Sequence, residues 1–189
     1  REHLVAFFSS MRADLTHREY SPSELQDYIY GSAEAIGLLC LQIFLAEENV
    51  SPADRAAMER GARALGSAFQ KINFLRDLRE DSSTLGRTYF QQAPSGRIDE
   101  ATKSALIAEI RQELATAALT IDVLPASARV GVSAAADIFA ELTNRLAATP
   151  ATALATTRVS VPNHTKAWLA AHAVRRRGHS SQTSLTGEN

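Results

Sequence analysis

The chain has 189 residues, 45% of them hydrophobic and 22% charged, which is the composition of a soluble globular protein able to bury one sizeable core. Its 20 Lys and Arg stand against 21 Asp and Glu, a net charge of -1 that argues against a polyanion-binding surface and so against nucleic acid as a partner. The one cysteine, Cys40, excludes an internal disulfide and fits a reducing compartment such as the cytoplasm.

Strand-like alternation is nearly missing and helix punctuation recurs, so the chain is predicted to be all-α. Helices are predicted at 2–18, 22–47, 52–82, 99–122, 126–147 and 162–176, with a loop over 83–98 that holds Gly86, Pro94 and Gly96. The first segment is too polar for a signal peptide, and the chain opens on Arg1 rather than Met. Ser21, Pro22 and Glu24 have the spacing of a capping box with proline at the first helical position. Ser51, Pro52 and Asp54 repeat that logic. The most apolar run, 35–46, is about half the ~20 residues a membrane span needs and contains Gln42. It reads as a buried helix, with Cys40 as a small core residue and peripheral membrane contact left open. Pro125, Pro150 and Pro162 mark the later helix boundaries. Arg175, Arg176 and Arg177 read as a solvated helix end, with attachment to anionic lipid as the sharper alternative. The domain is taken as 1–177, and the polar tail 178–189 is predicted to be disordered.

The chemistry concentrates in 70–81. On a helix Asn73, Asp77 and Asp81 fall at successive i, i+4 positions, so three oxygen-bearing side chains line one stripe, with Gln70 a turn earlier. Arg76 and Glu80 form a second such pair beside it. Carboxylates in register repel by roughly 0.2–0.5 kcal/mol, and a hard divalent cation would offset that. Carboxylate and amide oxygens without His or Cys suit Mg²⁺, which keeps waters and shares its remaining positions with phosphate. Arg76 is placed to contact such a phosphate. A solvated charged face is the competing reading, weakened here by apolar neighbours such as Phe69, Ile72 and Leu75. The pairs Glu109/Glu113 and Asp137/Glu141 share the spacing and read as ordinary helix faces. The five histidines show no metal-ligand spacing.

Residues 64–89 (ALGSAFQKINFLRDLREDSSTLGRTY) closely resemble the second aspartate-rich region of the phytoene/squalene synthase family, with its Q-x-x-N-x-x-R-D-x-x-E-D and G-R-x-Y pattern. Residues 28–38 (YIYGSAEAIGL) and 11–15 (MRADL) resemble two earlier family segments in the same order, and 158–162 (RVSVP) resembles bacterial phytoene synthases. The resemblance implies an all-α isoprenoid synthase bundle, here without its N-terminal part. It also implies head-to-head condensation of two prenyl diphosphates, taken as geranylgeranyl diphosphate, to phytoene through a cyclopropyl diphosphate. Asn73, Asp77 and Asp81 are implied as ligands of Mg²⁺, or of Mn²⁺, and NADPH is not expected. Gln70, Arg76, Arg87 and Tyr89 are implied to bind substrate, and Tyr28 to sit near the reacting chains.

Three departures stand out. Glu34 occupies a position that is usually small, and it needs a partner such as Arg12 or a water. Phe139 stands where relatives often carry tyrosine. One aspartate-rich motif is visible where the family uses two, and the other would fall before Arg1. A squalene, dehydrosqualene or hydroxysqualene synthase is the alternative within the class. A non-catalytic helical protein that has lost half the metal site is the rival from another class.

Overall fold

The structure, a computed structural model, describes residues 1–16, 19–80 and 98–180. Asp81, Arg87 and Tyr89, and residues 181–189 of the tail, lie outside the described residues. Eight helices are described: α1 (Glu2–Thr16), α2 (Pro22–Ile29), α3 (Ala35–Phe44), α4 (Pro52–Glu80), α5 (Glu100–Ile121), α6 (Ala126–Ala148), α7 (Ala151–Leu154) and α8 (Asn163–Ser180). A π-helical turn, Tyr30–Glu34, joins α2 to α3. No strand occurs among the described residues, as the all-α reading requires.

The predicted helix starts rest on the predicted chemistry. Ser21 Oγ accepts from the Glu24 amide while Glu24 accepts from the Ser21 amide, closing the capping box. Ser51 Oγ accepts from the Asp54 amide and donates to its carboxylate. Asp99 caps α5 through the Thr102 amide. Two features differ from the prediction. The segment 22–47 is one helical path interrupted by the π turn, where the Ala35 amide reaches the Tyr30 carbonyl. The hydroxyls of Ser10 and Ser32 both donate to the Tyr28 carbonyl, so the disturbed ladder finds partners. The short α7 follows Pro150 where a boundary alone was expected.

Helix α4 is the axis of the bundle. Ile72 and Leu75 are fully buried against Ile110 of α5 and Leu146 of α6, with Leu154 of α7 beneath. Small residues let the backbones approach. A Cβ on Gly37 would lie 2.5 Å from the Ala62 carbonyl, and one on Gly66 2.6 Å from the Ala33 carbonyl. These two contacts set α3 antiparallel to α4 at close range.

Polar pairs lock the remaining elements. Lys103 is 2% exposed and donates to the carbonyls of Ala147 and Thr149 at the end of α6, while pairing with Glu100. Glu100 in turn accepts from the Ala151 amide at the start of α7. Arg176, exposed near the end of α8 as predicted, also pairs with Asp137 of α6. The predicted plain face at Glu109/Glu113 fails: both carboxylates grip Lys71 across the α4–α5 contact, and Ser67 donates to Glu113 at 2.7 Å. Burial pushes the Glu113 carboxyl above its ordinary range, against the opposing pull of Lys71 and Ser67.

That balance gives a pH prediction. Without Lys71 the burial of Glu113 is less opposed, and a carboxyl whose folded pKa is raised loses its contribution as pH rises through that value. Lys71→Met is therefore expected to lower the melting temperature more at pH 8 than at pH 5. An equal deficit at both pH values in thermal melts would contradict the burial assignment.

Candidate functional site

The inner face of α4 changes character along its length. Its first half, from Met58 through Ala62 and Gly66 to Phe69, lines an apolar cavity of about 340 Å³, shared with α3, α5 and α6. One turn beyond Phe69 the same face carries Asn73, then Asp77. An acidic, amide-bearing rim thus follows the cavity-lining stretch along one helix. Two hydroxyls lining it, Ser32 and Thr120, donate back to carbonyls of their own helical segments, which leaves an apolar wall.

Asp77 is the electrostatic centre of the rim. Arg76 Nε and Nη2 both reach its carboxylate, and Arg158 Nε donates to Asp77 Oδ1 at 3.0 Å. Burial alone would raise this carboxyl, but the hydrogen bonds and charges of Arg76 and Arg158 outweigh it and hold the group below its ordinary range. The stability it adds is present at neutral pH and is lost in acid, as pH falls through the depressed folded value. The i, i+4 spacing predicted Glu80 as the partner of Arg76, and the arginine turns to Asp77 instead. Asn73 Oδ1 is buried with no hydrogen-bond partner, an uncommon state for an amide oxygen.

Arg158 is the residue that motif reasoning at 70–81 did not reach. It sits on the segment between α7 and α8, which Val161 anchors in the core and Arg79 ties to α4 through the Thr156 carbonyl. Its sequence signal was the match at 158–162, which carried no assigned role.

Tyr28 is 6% exposed, and its hydroxyl donates to Asp14 Oδ1 at 2.9 Å. Its ring lies between Tyr20, 5.1 Å away, and Phe74, 6.1 Å away, which places it beside α4 one residue past Asn73. Tyr28 does not line the apolar cavity. It borders a second hollow of about 380 Å³ between α1 and α2, together with Ser10, Tyr20 and Tyr30. Gln70 stands half-buried between Phe69 and Asn73 on α4. The structure therefore gathers Gln70, Asn73, Arg76 and Asp77 on one stretch of α4, with Tyr28 alongside.

The sequence departures resolve physically. Glu34 pairs with Arg63 Nε at 2.7 Å and not with Arg12, and it is not among the cavity-lining residues. Arg63 also covers the Tyr30 ring at 5.6 Å. Phe139 stacks on Phe69 with ring centroids 3.8 Å apart, filling the place of a hydroxyl-bearing ring with apolar contact. Cys40 is exposed on the cavity side of α3, not buried as expected, because that face borders open space.

Among the described residues, no three His, Cys, Asp or Glu side chains converge as a metal cluster. The donor set at the rim is one carboxylate and one orphaned amide oxygen. That set fits Mg²⁺, which binds through one or two carboxylates and completes its shell with waters and substrate phosphates.

Helix α4 thus carries an apolar cavity wall followed by Asn73 and Asp77, with Arg76 and Arg158 on the Asp77 carboxylate. The squalene/phytoene synthase family model matches residues 1–165, and the chain belongs to that family. It is 43% identical over 86 residues, 43% of the chain, to "Phytoene synthase 3, chloroplastic" of Zea mays. It is 27% identical over 136 residues, 63% of the chain, to "Bifunctional lycopene cyclase/phytoene synthase" of Blakeslea trispora. The matches span 19% and 22% of those proteins' own lengths. No described helix is long and apolar enough to cross a membrane.

Proposed function

We propose that this chain carries the second metal-binding half of a phytoene synthase, which condenses two geranylgeranyl diphosphates head to head. The observation that carries the reading is the orphaned Asn73 Oδ1, one helical turn from Asp77 on the helix whose preceding stretch lines the apolar cavity. Membership of the family and the phytoene synthase names of both relatives support it.

Asn73 and Asp77, with Asp81 next on the stripe, would hold Mg²⁺, or Mn²⁺ in its place. The ion would neutralise charge on the departing diphosphate. Arg76 and Arg158, already gathered at Asp77, are placed to turn their guanidinium groups onto phosphate oxygens. Gln70 orients the same head group, and Arg87 and Tyr89 are assigned to closing over it. Tyr28, oriented by Asp14 and packed on Phe74, is assigned a place beside the reacting chains. The apolar cavity holds the prenyl tail and keeps water from the carbocation. Two diphosphates and two protons leave for each phytoene formed, so no reductant is needed. A squalene-type reaction instead ends with hydride delivered by NADPH in place of the second proton loss.

The test is product analysis on the full-length enzyme with C15 and C20 diphosphates and Mg²⁺, with and without NADPH. Phytoene from the C20 substrate, unaffected by NADPH, is expected. A C30 hydrocarbon that requires NADPH would replace the reading with a squalene synthase. No metal-dependent product from either substrate would favour a non-catalytic helical protein. Peripheral membrane contact suits a lipid substrate and product, and cytoplasmic residence fits the reduced cysteine.

A further inference from the structure

We infer that Met58, with Leu41 and Leu124, forms the floor of the prenyl cavity and sets the chain length it accepts; this rests on the prenyl-diphosphate reading of the site above. The three residues come to one level by helix register. Gly37 meets Ala62 and Gly66 meets Ala33, so α3 runs antiparallel to α4, and one turn beyond the first contact Leu41 reaches the level of Met58. Gly61 meets Thr120 of α5, so the next turn of that chain brings Leu124 to the same level. Leu41, Met58 and Leu124 all line the cavity, and all three are buried in one apolar cluster with Leu45. Val50 packs against that cluster. At this level the cavity therefore borders a packed apolar cluster built from α3, α4 and the connections that follow α3 and α5.

The spacing fits one substrate class. Phe69 lies 69 − 58 = 11 residues above Met58 and Asn73 lies 73 − 58 = 15 above it. At about 1.5 Å per residue the head-group rim is roughly 16–22 Å from the floor. Carbon–carbon bonds of about 1.5 Å at tetrahedral angles advance about 1.25 Å each. A C20 prenyl chain, with 15 main-chain bonds, is then about 19 Å long, and a C15 chain, with 11, about 14 Å. The longer chain reaches Met58, and the shorter one leaves the floor unfilled. Gly61 lets α4 and α5 pack closely at this level, because any side chain there would strike Thr120, 1.9 Å from where its Cβ would stand. Methionine suits a floor, since its unbranched thioether adapts to the end of a branched chain.

The experiment uses the full-length enzyme and compares kcat/KM for C15, C20 and C25 prenyl diphosphates. The wild type is expected to prefer C20. Met58→Phe, which raises the floor, is expected to shift the C20:C15 ratio at least tenfold toward C15, within the range that a few methylenes command in an apolar pocket. Met58→Ala, which lowers it, is expected to shift the preference toward C25. The opposed directions separate metering from general damage, because a misfolded variant lowers all three rates together. Ratios within twofold of wild type in either variant that still turns over would overturn the assignment. A wild type inactive on all three substrates would overturn the prenyl-diphosphate reading itself, and the floor with it.

Discussion

Asp77→Asn in the full-length enzyme is expected to lower Mg²⁺-dependent turnover of geranylgeranyl diphosphate by about 10²–10³-fold, the usual loss when one preorganised charge contact is removed from a transition state. The substitution keeps shape and removes charge. Asp77 gathers both Arg76 and Arg158, and it stands one helical turn beyond the unpartnered Asn73 oxygen. A neutral amide would hold a divalent cation more weakly and would release the two guanidinium groups from their common anchor. The fold should survive, because the core below the rim, Ile72 and Leu75, is untouched. Steady-state kinetics beside a thermal melt would check both halves. Unchanged turnover would remove Asp77 from the site.

Lys103→Met is expected to have the largest effect on stability, about 2–4 kcal/mol, because the carbonyls of Ala147 and Thr149 would lose a buried donor together. Methionine conserves much of the stem's volume, so the loss is chiefly polar. Lys103 joins three helices through one ammonium: it sits on α5, closes α6, and positions Glu100 to cap α7. For a chain of this size the loss corresponds to a fall in melting temperature of roughly 4–16 °C. A melt within about 2 °C of wild type would show that water replaces the ammonium, and that the buried position carries little energy.

The parts of the fold that were legible beforehand are those decided within a few residues. Ser21 and Ser51 announce helix starts because a cap needs only a hydroxyl and the amide three positions on. The stripe at Asn73 and Asp77 was legible because helical spacing alone places them on one face. What remained hidden depends on residues far apart in the chain. The π turn rests on Ser10 and on the close approach of Gly31 to the Ala6 carbonyl, contacts made across α1. Arg158 reaches Asp77 from 81 positions away, after α5, α6 and α7 have folded back. Lys103 reads as a surface lysine until the end of α6 arrives to accept from it. Cys40 misled for a related reason: an apolar run normally signals packing on all sides, but here one face borders a cavity.

The most direct test of the metal-diphosphate assignment is a calorimetric titration of the full-length enzyme with a thiolodiphosphate analogue of geranylgeranyl diphosphate, which does not ionise. The titration is run with Mg²⁺ and again with chelator, on wild type and on Asp77→Asn. Saturable binding that requires Mg²⁺ and weakens at least tenfold in the variant is expected. Binding that is indifferent to both the metal and Asp77 would contradict the assignment.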